Sequence, residues 1–368
     1  MKRRYKILGI GLAVIALGVG SLMLYMSHDA PCSPSPPLPA GAARMKGVIY
    51  RCYGPPEVLR LEDVVKPTPR DNEVLVRVRA ASVNPLDWHE MRGMPYLVRM
   101  STGFGAPEFE RLGTDFAGTI EAVGKNVKRF KPGDEVFGGG GGAFSEYMRV
   151  REDRGIALKP PNLSFEEAAA IPVAGITALQ ALRDKGHIQA GQKVLINGAS
   201  GGVGTFAVQL AKSYGAEVTG VCSTRNVELV RSLGADHVID YTREDFTLRP
   251  EAYDLIVDNV GSHGLLEYRR VLKPNATLVL VGGPNEGQWL GPLMGVVKAM
   301  VLSPFVSQKF GLILAELTAQ DLAYLGDLTQ SGKMKPAIDR RYALSETPAA
   351  IAYLETGRAR AKVVIHLD

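Results

Sequence analysis

The stretch VLINGASGGVG, residues 194 to 204, leaves this chain the least freedom. VLIN reads as a buried strand, the glycines as a tight loop, and TFAVQLAKSYGAEV as a helix leading into a second strand. Glycine at 201 lets a backbone approach a pyrophosphate, Gly204 lets the helix pack close on the sheet, and the first N–H groups of the helix point at the anion. The spacing predicts that Ala199, Ser200, Gly201, Gly202, Val203 and Gly204 cradle the phosphates of a dinucleotide, with Ala199 where the first glycine of G-x-G-x-x-G is usual.

The surroundings agree with such a loop. From about 165, strands (QKVLING, EVTGVCS, HVIDY, YDLIVDNV, ATLVLVGG) alternate with helical stretches (GGVGTFAVQLAKSYG, NVELVRSLGA, GLLEYRRVL). Near-continuous Val/Ile/Leu strands alternating with helices mark a parallel sheet covered on both faces, so an α/β, doubly wound fold is expected. SFEEAAAIPVAGITALQALRDKG opens this part as a helix, with a capping box from Ser164 to Glu167. Between 45 and 155 the texture differs: EVLVRVRA alternates with period two, and YGPP and KPGD punctuate short runs, which predicts an antiparallel β-barrel-like domain. The tail from about 310 ends in ARAKVVIHLD, a strand that would return to close the barrel. The expected organisation is therefore 45–164 with 310–368 as one domain and 165–309 as the nucleotide-binding one.

A second strand after a glycine loop usually ends in an acid that accepts the ribose hydroxyls. Here it ends in Cys222, followed by Ser223, Thr224 and Arg225. An acid would repel a 2′-phosphate, whereas two hydroxyls and a guanidinium favour one, so NADPH rather than NADH is expected. The alternative is an ordinary polar loop after a strand.

The N-terminus is a separate matter. MKRRYK (1–6) precedes ILGIGLAVIALGVGSLMLYM (7–26), an uncharged run of the ~20 residues that a bilayer-crossing helix needs. A single membrane anchor is expected, against a cleaved signal peptide or a true start at Met45. Residues 27–44 are rich in proline and read as a semi-rigid spacer. Lys2, Arg3, Arg4, Lys6 and Arg44 face Asp29 alone, which leaves 38 basic and 37 acidic residues of the chain's 43 and 38 for the remainder. That balance gives no nucleic-acid footprint. Cys32, Cys52 and Cys222, odd in number and widely spaced, read as unpaired thiols in a reducing compartment. The basic cluster should stay cytoplasmic and send the rest across the membrane, but a soluble reduced cofactor favours a cytoplasmic catalytic part, and the latter is the expectation. The apolar stretch 289–317 is broken by Lys298, Pro304 and Lys309, so it reads as core, subunit contact, or a lipid- or substrate-facing surface.

Across 45–368 the chain resembles the medium-chain dehydrogenase/reductase superfamily, in its zinc-independent quinone oxidoreductase and enone reductase branch. The resembling segments are YGPPEVLRLEDV, ASVNPLDWHEMRG, LGTDFAGTIEAVGKNVKRFKPGDEVFG, VLINGASGGVG, LGADHVIDY and ARAKVVIHL. The resemblance implies a Rossmann-type domain joined to a GroES-like β-barrel catalytic domain. Zinc-binding members carry Cys-His-x-Asp and Gly-His-Glu. Asn84-Pro85-Leu86-Asp87 and Gly113-Thr114-Asp115 stand at those places, so no metal is expected. Without a Lewis acid, alcohol oxidation is difficult and reduction of a polarised acceptor is easier. The resemblance thus implies hydride transfer from NADPH to a small apolar quinone or α,β-unsaturated carbonyl. It places Asn84 as a donor to the substrate oxygen, Tyr96 as a donor or proton relay, and Asp87 and Trp88 as shaping the site. It adds Thr177, Tyr241, Asn259, Gly261, Gly282, Gly283 and, as a phosphate contact, Lys362 to the cofactor site. Dimers are common in the family, so the resemblance leaves a homodimer open, while the sequence does not fix the oligomeric state. The alternative function is an NADPH-binding interaction or membrane-trafficking protein of the same fold.

Overall fold

The structure, a computed structural model, describes residues 17–249, 252–283, 287–289, 291 and 293–367. The basic residues 1–6 and positions 7–16 of the expected anchor lie outside the described residues. Residues 17–27 are helical, about 16 Å of helix at 1.5 Å per residue. No helix among the described residues is long and apolar enough to cross a membrane.

Along the chain, β1 (Arg44–Ile49) and β2 (Arg60–Val65) form an antiparallel pair. A barrel sheet follows from β3 (Glu73–Val83), β4 (Asp115–Val123), β5 (Glu135–Gly139), β6 (Tyr147–Arg151) and β7 (Ile156–Leu158). In β3 the alternation is visible: Val76 and Val78 are buried while Arg77 and Arg79 are exposed, and that period of two fixes which face meets the core. The chain then builds a parallel sheet from β8 (Lys193–Asn197), β9 (Glu217–Cys222), β10 (His237–Asp240), β11 (Tyr253–Asp258), β12 (Leu272–Leu280) and β13 (Lys309–Leu312). Its strand order is β10-β9-β8-β11-β12-β13. Finally β14 (Ile338–Ala343) and β15 (Lys362–His366) return to the first sheet, which runs β14-β15-β3-β4-β5-β7 with β6 also on β3. The architecture is therefore α/β, a GroES-like barrel beside a Rossmann-like sheet.

Four helices matter for the site: α1 (Pro85–Arg92), α2 (Pro172–Gln180), α3 (Gly202–Ser213) and α4 (Leu293–Leu302). Helix α2 is the second half of the helical stretch expected from 165. Its predecessor stops at Ala169, ahead of Pro172, and carries the Ser164 to Glu167 capping box (Glu167 N donates to Ser164 Oγ at 3.1 Å, Ser164 N to Glu167 Oε2 at 2.9 Å). The core between α2, α3 and the parallel sheet (Ile176, Leu179, Val194, Phe206, Leu210) is sealed from solvent.

Three expectations need correction. Strand β13 completes the parallel sheet by pairing with β12, so a boundary at 309/310 falls inside a strand and the return to the barrel begins with β14. Cys32 and Cys52 form a disulfide, with Cα atoms 4.6 Å apart. Their separation of 20 residues hides a proximity made only when the leader folds back on the barrel. The reducing-compartment reading rested on unpaired thiols and loses its ground. Nor is 27–44 a free spacer: Ala30 N donates to Gly105 O at 2.9 Å, Ser35 Oγ to Glu62 Oε2 at 2.8 Å, and Arg99 grips the carbonyls of Met26 and His28.

Candidate active site between the glycine loop and the barrel

The loop after β8 is built by backbone constraints. Gly198 takes φ +74°, a region that favours glycine, and its carbonyl accepts from Gly201 N at 3.0 Å. A Cβ on Gly204 would lie 2.1 Å from Gly198 O, so only glycine lets α3 start this close to the strand. The turn is thus served by Gly198, one residue before the position where Ala199 replaces the usual glycine. Ala199 is fully buried and hydrogen-bonded from its N to Val221 O at 3.0 Å. The first N–H groups of α3, at Gly202, Val203 and Gly204, have no intrahelical acceptor by the geometry of a helix start and face outward from the sheet's C-terminal edge. Around Gly201 a Cβ would meet nothing nearer than 3.4 Å. Such an open cradle at a helix N-terminus fits a pyrophosphate.

Beside it, Asn259 follows β11. Its N and Nδ2 both donate to Asn197 O, at 3.2 and 2.8 Å, and its Oδ1 is buried without a partner among the described residues. Gly282 packs over Asn259 so closely that a Cβ would sit 2.3 Å from Asn259 O. Gly261 is left-handed at φ +72°, with its N donating to Asp258 Oδ1 at 3.0 Å. Gly283 follows Gly282 in the same turn. The orphaned Asn259 acceptor is the kind of group an amide N–H of a nicotinamide would satisfy.

At the far end of the loop, Cys222 is buried and its thiol is pushed up to about 11 by burial, which leaves it inert. Ser223 Oγ accepts from Asn226 Nδ2 at 3.3 Å, and that amide also reaches Ser200 Oγ at 2.9 Å. Thr224 is spent differently: its hydroxyl donates to Asp240 Oδ2 at 2.5 Å and lies 2.9 Å from Thr242 Oγ1. Those hydroxyls hold the Asp240 carboxyl below its usual range. Sequence reasoning missed this acid, because it comes from β10 rather than from the end of β9. Arg225 lies against Arg358 O, and Tyr241 stands mostly exposed after β10. Ser223, Arg225 and Tyr241 therefore share one rim, with Thr224 drawn toward the carboxylate. Thr177 sits in α2, its hydroxyl turned back to Val173 O at 2.7 Å.

The barrel side holds the largest departure from expectation. Lys362 at the start of β15 is 3% exposed, and Asp115 at the start of β4 is fully buried. The Lys362 ammonium donates to Asn84 Oδ1 at 2.7 Å and lies 3.3 Å from Asp115 Oδ2. Asp115 Oδ2 also accepts from Ser82 Oγ at 2.8 Å and Asn84 Nδ2 at 2.9 Å, and its Oδ1 accepts from Val173 N at 2.9 Å, in the first turn of α2. A carboxylate at a helix N-terminus is favoured by the dipole. The remaining Asn84 N–H points at Ser82 O, 3.4 Å away. Asn84 thus turns both donors inward, and the expected hydrogen bond to a substrate oxygen does not follow from this geometry. Lys362 is likewise aimed into the barrel rather than at a phosphate, although its stem packs under the loop: a Cβ on Gly202 would lie 3.3 Å from Lys362 Cδ, and Ala361 N donates to Ser200 O at 2.7 Å.

Asp87 is another correction. It is fully buried in α1, where Oδ2 accepts from Asn84 N at 2.7 Å and Oδ1 from Gly113 N at 3.2 Å. Burial pushes its carboxyl up to about 8. It locks the turn that carries Asn84 and touches no open space. Tyr96 is the expected catalytic residue left with a free hydroxyl among the described residues. Its N donates to Gln288 O at 2.7 Å, its ring packs on Trp289 at 4.9 Å between centroids, and the Arg99 guanidinium lies over it at 4.8 Å. Gln288 and Trp289 thus lie against Tyr96 on the barrel side of the cleft. Trp88 stacks on His89 at 3.6 Å, and burial lowers the pKa of that histidine. A cavity of ≈ 390 Å³ between segment 157–161 and helix Ala319–Gln330 holds none of these residues.

No group of three or more His, Cys, Asp or Glu side chains among the described residues is close enough together to hold a metal ion. At the place of the zinc ligands in metal-binding relatives, an ammonium already neutralises Asp115. An amide, a hydroxyl and a carboxylate paired in this way form a poor donor set for Zn²⁺, which prefers thiolate and imidazole.

Residues 70–161 match the family described as alcohol dehydrogenase GroES-like domain, and residues 233–365 the one described as zinc-binding dehydrogenase. The 2-methylene-furan-3-one reductase of Solanum lycopersicum is 37% identical over 339 residues, covering 88% of this chain and 79% of that protein. The chloroplast envelope quinone oxidoreductase homolog of Arabidopsis thaliana is 36% identical, covering 87% and 98%. Among solved structures, the quinone oxidoreductase from Coxiella burnetii superposes with a TM-score of 0.78 at 32% identity, covering 89% of this chain and 100% of that one.

Proposed function

The chain belongs to the medium-chain dehydrogenase/reductase superfamily, and from that premise we propose that it is a zinc-free reductase passing a hydride from NADPH to a quinone or an α,β-unsaturated carbonyl while tethered to a membrane through residues 7–26. The observation that carries this reading is the Lys362 ammonium held between Asn84 and Asp115. It puts a fixed cation where metal-binding relatives carry zinc ligands, which favours reduction of an already polarised acceptor over oxidation of an alcohol.

NADPH, when bound, supplies the hydride. The chain's own residues do the rest. Gly201 to Gly204 would hold the pyrophosphate, Ser223, Arg225 and Tyr241 the 2′-phosphate, and Asn259 Oδ1 the nicotinamide amide. The Tyr96 hydroxyl would donate a hydrogen bond to the acceptor oxygen as negative charge develops there and give up its proton to it, regaining one from solvent, while Trp289 shields the cleft from water. Residues 45–164 with the returning tail form the catalytic domain and the parallel sheet the cofactor domain.

The test follows consumption of NADPH and NADH by the full-length protein with a panel of quinones and enones. NADPH should be preferred. Arg225→Ala should raise KM for NADPH by ~10- to 100-fold, the loss of a charged hydrogen bond, and leave NADH unaffected. A preference for NADH overturns the phosphate reading. Cofactor binding without turnover of any acceptor overturns the reductase and leaves an interaction protein.

A further inference from the structure

Exposed large apolar side chains concentrate in three segments of the chain. Of the 24 among the described residues, 15 belong to three segments: the leader helix (17–25), the stretch 100–109, and 294–314 with helix α4. Met100, Phe109, Met300 and Phe305 are each at least 70% exposed. Scattered apolar residues need no explanation, but a concentration in a few segments does.

Two of these segments meet beside Tyr96, and the third follows Trp289 and Gly291, which pack on Tyr96 and Pro95. Arg99 is 1% exposed and joins two of them: its Nε donates to Gly93 O at 2.9 Å, its Nη1 to Met26 O at 3.0 Å and His28 O at 2.9 Å, and its Nη2 to Asp29 Oδ1 at 2.6 Å. A buried guanidinium with every arm engaged is a rigid joint. Tyr25 and Phe104 pack at 5.3 Å between centroids, and the Cys32–Cys52 disulfide pins the chain just beyond. The third segment arrives through Trp289, which packs on Tyr96 and leads into α4. The apolar run of the leader therefore ends at the cleft mouth, not at the end of a loose tether. Ahead of it lie ten more uncharged residues (7–16) and the basic MKRRYK. Under α4 a cavity of ≈ 130 Å³ is lined by Leu280, Ala299, Met300, Ser303, Phe310 and Leu312. On the outer face of α4, Lys298 is exposed among apolar neighbours, where a long stem lies in apolar surroundings and its ammonium reaches headgroups.

We propose that these segments form a lipid-bilayer surface, with 100–109 and α4 seated in the interface on either side of the cleft, and that the acceptor is a long-chain quinone or enone drawn directly from the bilayer. This deepens, and rests on, the reductase reading above. The leader supplies the occupant: a chain that enters the membrane at residue 26 or before, and is locked to Arg99, brings the bilayer to the cleft mouth with no slack. A second copy covering α4 is the rival occupant.

The experiment uses the full-length protein in phosphatidylcholine vesicles. The chain has two tryptophans, so Trp88→Phe leaves Trp289 as the only tryptophan, excited selectively at the red edge of its absorption. Shallowly brominated lipids should quench Trp289, and deeply brominated ones should quench it less. Absence of quenching by either lipid overturns the surface, as does quenching lost on dimerisation with α4 protected. Phe109→Glu and Met300→Glu, at exposed positions outside the catalytic set, should each raise KM for a membrane-dissolved long-chain quinone about threefold and together about tenfold. KM for a water-soluble short-chain quinone should stay unchanged. Equal effects on both acceptors overturn the substrate class. If neither acceptor is turned over, the reductase reading has failed and the substrate class fails with it, while quenching still decides the surface.

Discussion

Replacing Lys362 by methionine separates two roles that the position could serve. The side chain is 3% exposed, and its ammonium gives a 2.7 Å hydrogen bond to Asn84 Oδ1 and a charge to fully buried Asp115 at 3.3 Å. Methionine keeps the length and removes the charge, so little cavity forms. What is left is a buried carboxylate without its counter-ion and an amide oxygen without its donor. Breaking a buried pair from one side costs about 3–5 kcal/mol, at the lower end here because Ser82, Asn84 and Val173 still donate to Asp115. For a folding unit the size of the barrel each kcal/mol lowers Tm by about 2–4 °C, so calorimetry of the cofactor-free protein should show a drop on the order of 6–12 °C. Asp115→Asn alone should do comparable damage, and the double variant should be less unstable than the sum of the two by ~0.5–3 kcal/mol. If Lys362 instead gripped a cofactor phosphate, Lys362→Met would leave the cofactor-free Tm unchanged and weaken NADPH with a strong salt dependence. That outcome refutes the buried-pair reasoning.

Gly204→Ala should abolish cofactor binding, because its Cβ would meet the Gly198 carbonyl at 2.1 Å and force α3 off the sheet; an unchanged fluorescence titration with NADPH would contradict this. The Asp87 carboxyl has its pKa raised by burial from 3.8 to about 8, so the folded state holds a proton that the unfolded chain gives up near pH 4. Its stabilisation is complete below that point and disappears as pH rises through about 8. Between pH 5 and 8 the wild-type Tm should therefore fall more steeply than that of Asp87→Asn, and parallel profiles would count against it. Denatured, non-reduced protein should accept one polymer-bearing maleimide, at Cys222, and three after reduction; three without reductant would exclude the Cys32–Cys52 pair.

The glycine loop was legible in the chain because its geometry is local. Gly198 to Gly204 form one strand-loop-helix unit, so the spacing of a few residues determines where backbone N–H groups point. The β15 return was also visible, as a run of β-branched residues. The substrate half was not. Asn84, Asp115 and Lys362 lie on three strands or turns separated by 31 and 247 residues, and one sequence holds no signal that Asn84 will spend its amide on its neighbours. Asp87 looked catalytic for the same reason: a capping acid and an active-site acid are the same letter. Arg99 drew no attention, since a charged residue beside turns reads as surface until the leader closes over it.

By itself, then, the sequence determined what depends on short spacing and period: the glycine cradle, the alternating and continuous strands, the helix starts, and an uncharged run at the N-terminus. Tertiary structure alone decided what depends on long-range approach: which cysteines meet, that the leader is bolted to the cleft mouth, and that a lysine rather than a metal ligand set neutralises the barrel floor. The physical reason is that hydrogen-bond geometry within a turn is fixed by a few dihedral angles, whereas the partner of a buried charge is fixed only when strands distant in sequence pack and exclude water around it.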